Sequence, residues 1–177
     1  MIWDEADGSL DITFIRLKNS KADLAGFPNV WEPLAEELYR LGLNDPNKIY
    51  AVWHPSVREG GDTVICGVQT EYDSVSYAFS FFKRVDRGKN ICPNQPVTMV
   101  HELFHAFGAA APCAANYVSD DESLRSVHVD DDPNDLMYLG DQFGIPIELD
   151  RGHDDYFDHD IPGCVDTADS PYLEPRR

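Results

Sequence analysis

The apolar positions of this chain change period several times, and each change marks an element. The stretch Leu10-Asp11-Ile12-Thr13-Phe14-Ile15-Arg16-Leu17 alternates at several steps, the period of a half-buried strand. After a loop through Gly26-Phe27-Pro28 the period lengthens to that of a helix ending near Leu41. Its inward stripe is Trp31, Leu34, Leu38 and Leu41, with Glu36, Glu37 and Arg40 facing out and Gly42 as the stop. Residues 48–54 are a short, mostly apolar run of β formers, expected to be an inner strand. Residues 63–68 and 74–82 read as further strands, and a charged loop over 84–93 follows. The order β, α, β, β, β and then helix predicts an α+β fold, a mixed sheet with helices against it. Beyond Gly108 the periodicity stops. Residues 109–177 are rich in Asp, Pro and Gly, and predict a loop-dominated half with at most one short helix. The whole is expected to be one domain, 1–177, built as an N-terminal subdomain 1–108 and a C-terminal subdomain 109–177.

The most informative stretch is Pro96-Val97-Thr98-Met99-Val100-His101-Glu102-Leu103-Phe104-His105-Ala106-Phe107-Gly108. Pro96 suits a first helical turn, Asn94 is a candidate cap, and Gly108 is a natural C-terminal stop. Val97, Val100, Leu103, Phe104 and Phe107 recur at helical spacing, so burial on most sides is expected. His101 and His105 are one helical turn apart and leave the same face, with Glu102 beside them. This is H-E-x-x-H: two imidazoles to hold zinc and a carboxylate to take a proton from metal-bound water. A plain core helix is the competing reading. Two imidazoles and a glutamate buried together are expensive without a partner, and a cation supplies one.

Charge and cysteines narrow the class. The formal net charge of −18 argues against nucleic acid or an anionic membrane as partner. Neither a leader with an apolar core at the start nor an apolar run long enough to span a bilayer is visible. The four cysteines, Cys66, Cys92, Cys113 and Cys164, form no C-x-x-C pair. They fit two disulfides in an oxidising, extracellular setting. Three pairings exist. Cys66–Cys92 with Cys113–Cys164 is expected, because each bond then stays within one subdomain. Four buried free thiols are the alternative.

A catalytic zinc takes three protein ligands and keeps a position for water. The extended motif H-E-x-x-H-x-x-G-x-x-H would place the third at position 111, which is Ala111. The expected substitute is His128, followed by Asp130, Asp131, Asp132, His153 and His159, with Glu122 as the choice in a thermolysin-like arrangement. The acidic tail 150–160 carries hard oxygen donors of the kind calcium takes, though it does not match an EF-hand loop. A solvated acidic surface is the preferred reading there.

His101-Glu102-x-x-His105-x-x-Gly108, followed by Asp135-Leu136-Met137-Tyr138, resembles the metzincin clan of zinc peptidases. The pattern is most similar to a group of little-characterised secreted, mainly bacterial, metzincin-like proteins, and covers positions 96–138. The resemblance implies a zinc endopeptidase with an upper lobe of sheet and active-site helix and a lower lobe with the third ligand. It also implies that Met137 is the methionine of the turn beneath the zinc. Ala111 departs from the clan's pattern, so the third ligand does not carry over directly. Glu102 would be the general base and Tyr138 a helper at the oxyanion. The expected partner is a peptide or protein substrate, lying along a strand such as 74–82, and the expected state is a monomer. Rival readings are a non-catalytic, metal-stabilised secreted binding domain, and a zinc hydrolase of a non-peptide amide.

Overall fold

A computed structural model describes residues 14–19, 21–24, 27, 29–55, 65–81, 92, 94–118, 127–140 and 146–173. The described elements are α1 (Lys21–Leu24), α2 (Trp31–Arg40), β1 (Ile49–His54), β2 (Gly67–Tyr72), β3 (Val75–Phe81), α3 (Gln95–Phe107) and a 3-10 turn at Thr167–Asp169. They make a mixed α+β arrangement around a three-stranded sheet ordered β1-β3-β2. β1 runs parallel to β3 and β2 antiparallel to it.

Side chains on β3 alternate, and the alternation explains where the helices lie. Val75, Tyr77, Phe79 and Phe81 join Trp31, Leu34 and Leu38 of α2 in one core cluster. Ser76, Ala78 and Ser80 point to the other face. Small side chains there let α3 approach closely. Gly67, opposite Ser80 in the β2–β3 register, is the tightest point. A Cβ on it would lie 2.6 Å from Thr98 Cγ2. The β2–β3 connection is the two-residue turn Asp73-Ser74, with φ of 50° and 64°. Both residues are left-handed, as hairpin turns demand.

Several expectations need correction. The strand expected over 74–82 exists, but β3 is paired on both sides, so it offers no edge to a peptide. Residues 48–54, expected inside the sheet, form β1, the outer strand on that side of the described sheet. The strand expected over 63–68 starts at Gly67 and runs on to Tyr72, while residues 63 and 64 lie outside the described residues. Residues 14–17 are not strand, and 10–13 lie outside the described residues. Glu37 does not face out. It is buried and accepts hydrogen bonds from the Lys18 backbone and from Asn19 Nδ2, the latter at 2.8 Å, fastening the preceding segment to α2. Leu41, expected inside, is exposed. Val100 on α3 is also exposed, and Asn94 makes no side-chain cap. Instead the Asn94 carbonyl accepts from the Thr98 backbone N–H and hydroxyl.

α3 ends as expected: Gly108 has φ 90°, and the Ala109 N–H reaches back to the Phe104 carbonyl at 2.9 Å. Its Phe104 then packs with Ala109, Ala110, Val129, Leu136, Met137 and Tyr156 in a second cluster. The described residues of the C-terminal half are loop-built, with isolated bridges in place of strands. Both expected disulfides are present, Cys66–Cys92 and Cys113–Cys164. No described helix is long and apolar enough to cross a membrane.

Candidate metal centre

Three histidines converge, two from α3 and one from a loop. His101 and His105 leave one face of α3, with Nε2 atoms 3.0 Å apart. His128 arrives on a short segment strapped from both sides. Its carbonyl accepts from the Val118 N–H, and the next residue, Val129, donates to the Met137 carbonyl. This places His128 Nε2 3.1 Å from His101 Nε2. His128, the expected third member, thus lies beside the α3 histidines, and the runners-up have other partners or positions. His153 Nδ1 bonds the Phe157 carbonyl, and His159 Nε2 bonds the Val165 carbonyl. Asp130 is exposed. Asp132 turns onto Asn134 and Arg151. Glu122 is outside the described residues. After Gly108 the chain passes through buried Ala110 at φ 52°.

The protonation pattern fits a cation. His101 Nδ1 lies 2.7 Å from the Leu136 carbonyl, which can only accept, so Nδ1 carries the proton and Nε2 keeps its lone pair. Burial, and then the neighbouring His128 ring, push His101 down to about 4. Burial also drives His105 well below the ordinary histidine range, with the other two rings adding to it. The Nε2 lone pair of His101 faces the Nε2 atoms of both His105 and His128, and neutral imidazoles so gathered are the form that ligates a cation. Ligands about 2.0–2.1 Å from a tetrahedral zinc lie roughly 3.3 Å apart, close to the separations found. Among the described residues this group contains three side chains.

Glu102 is buried on the β2 side of α3. Burial raises its carboxyl to about 8, and a hydrogen bond from the Gln69 backbone pulls the other way. Cys66 and Phe81 are bonded through the Cys66 carbonyl, so the alternate β2 residues Gly67 and Gln69 turn their backbone groups away from β3, and that of Gln69 meets Glu102. Met137 is fully buried beside Phe104 and Tyr156. Tyr138, expected at the oxyanion, is half-buried with its ring against Gly140.

Sequence reasoning missed two carboxylates that build this half. Asp135 is buried and accepts from Met137 N at 2.7 Å, Tyr156 Oη at 2.8 Å and Arg151 N at 2.9 Å. Burial raises it to about 6, against these hydrogen bonds. Asp150 accepts from the backbone of Asp154, Tyr156 and Phe157. The available signal was an Asp two residues ahead of Met137, the spacing of a side-chain-closed turn. A separate acidic group, Asp131, Asp154 and Asp155, gathers in the region where calcium was considered. Within it Asn116 bonds Asp155 through both its backbone N–H and its side chain.

Comparison with known proteins yields no match to a family description, a curated protein or a solved structure.

Proposed function

We propose that this chain is a zinc-dependent endopeptidase of metzincin type, working in an oxidising, extracellular setting. The observation that carries the reading is the convergence of His101, His105 and His128 Nε2 atoms next to a buried glutamate. His101, His105 and His128 would hold the metal. Zinc at such a site supplies a Lewis acid that polarises a carbonyl and makes water a stronger acid. Glu102, steadied by the Gln69 N–H, accepts a proton from the attacking water and returns it to the leaving amine. Burial alone leaves this carboxyl protonated near neutrality, and a cation beside it favours the ionised base the reaction needs. Met137, fully buried beside Phe104 and Tyr156, would be the methionine of the turn that the metzincin resemblance implies. An extended substrate fits the edge of β2, pairing beside Gln69, whose N–H Glu102 already holds. β3 is enclosed between its neighbours. The two disulfides support the extracellular placement.

The test is a broad peptide panel with zinc-loaded protein and the Glu102→Ala variant. The variant should retain zinc and lose about 10²–10⁴-fold in cleavage rate. Equal cleavage by both proteins removes Glu102 as the base. Zinc binding with no cleavage by the wild type replaces the enzyme with a metal-stabilised binding domain.

A further inference from the structure

Leu136 and Met137 share one peptide group, and its two poles are both occupied. The Met137 N–H donates to Asp135 Oδ1 at 2.7 Å, and the Leu136 C=O accepts from His101 Nδ1 at 2.7 Å. A peptide group is planar, so anchoring its N–H sets the direction of its C=O. We propose that Asp135 is a positioning residue of the histidine centre, acting on His101 through this single peptide plane.

The proposal rests on the reading of the three histidines as a metal centre, and it extends that reading one shell outward. Histidines that ligate metals commonly donate their other ring N–H to a carboxylate or carbonyl, which fixes the tautomer and raises basicity at the ligating nitrogen. Here both partners are present in series. The carboxylate polarises the peptide, and the peptide polarises the imidazole. Asp135 is itself held from two more directions, by Arg151 N and the Tyr156 hydroxyl. The hydroxyl in turn accepts from Asp150 N at 2.9 Å. Leu136 is braced at its other end, where its N–H donates to the Glu148 carbonyl at 2.9 Å. Segments around 148–151 and 156 therefore set the angle at which one α3 histidine meets the centre.

The experiment uses full-length Asp135→Asn, with Tyr156→Phe as the comparison. Tyr156→Phe loses one hydrogen bond to Asp135 but keeps its charge and its bond to Met137. Zinc affinity is measured by competition with a chromophoric chelator, thermal stability by calorimetry, and the His101 tautomer by nitrogen NMR on metal-free protein. Asp135→Asn should weaken zinc binding about ten-fold, the lower end for an outer partner, and shift the His101 Nδ1 proton resonance. Tyr156→Phe, which leaves the carboxylate and its bond to the Met137 N–H in place, should lower stability and weaken zinc binding clearly less than Asp135→Asn does. Affinity losses that merely follow stability losses in both variants overturn the proposal. So does a wild-type His101 that carries its proton on Nε2, a result that needs no variant to fold. A wild type that binds no zinc overturns the metal reading alone, and the tautomer measurement then still decides the role of Asp135.

Discussion

Glu102 and Gly67 face each other across the contact between α3 and β2: a Cβ on Gly67 would lie 2.4 Å from Glu102 Oε1. The glycine is therefore part of how the glutamate is seated. Gly67→Ala should force α3 and its carboxylate away from the strand. Overpacking of this kind costs about 1–3 kcal/mol. Calorimetry measures the loss, and cleavage should fall further than the loss of folded protein explains.

Removing His128 takes away the one member of the site that α3 does not supply. His128→Ala should weaken zinc by more than the roughly 10–100-fold typical of an outer partner. Competition titration checks this. In the wild type, free zinc at about 100 times its Kd should raise stability by about 2.7 kcal/mol. At roughly 2–4 °C per kcal/mol for a chain of this size, the melting temperature should rise by about 5–10 °C. A chelator should reverse it.

Stability of the metal-free protein should fall as pH rises from about 6.5 to 8. Glu102 sits at about 8 when folded, raised from an ordinary 4.5, so the folded state holds the extra proton between those values. That contribution is lost as pH passes through the folded value. His101 acts in the opposite sense: its folded value of about 4 lets the unfolded chain bind more protons between 4 and 6.5. Asp135, raised to about 6, adds to the Glu102 trend only below 6. Above 6.5 Glu102 alone of these three drives the slope. Thermal melts of Glu102→Gln over this range should be flat where the wild type declines.

The Cys113–Cys164 bond ties the segment after α3 to the far end of the tail, 51 residues on. Replacing both cysteines by serine should cost about 2–5 kcal/mol, measured by denaturant unfolding. Zinc affinity should fall with it, since the tail carries Tyr156 and Arg151 against Asp135.

By itself the sequence determined the features that repeat over short range. The 3.6-residue period and the Gly108 stop defined α3, and i, i+4 spacing placed His101 and His105 on one face. The same logic found α2 and most of β1 and β3. His128 was reachable as the histidine that a long loop could return to the helix, and the cysteine pairing followed from keeping each bond local. Tertiary structure decided what depends on which segments meet. Helical period alone placed Glu37 in solvent, but Asn19, 18 residues earlier, gave it a partner and buried it. Residues 75–81 read as a strand, but only pairing with both β1 and β2 made β3 central and left the edge to others. Asp135 looked like one more acid in an acidic loop. Donors from positions 137, 151 and 156 turned it into a buried anchor, because a carboxylate leaves water only where enough hydrogen bonds replace it.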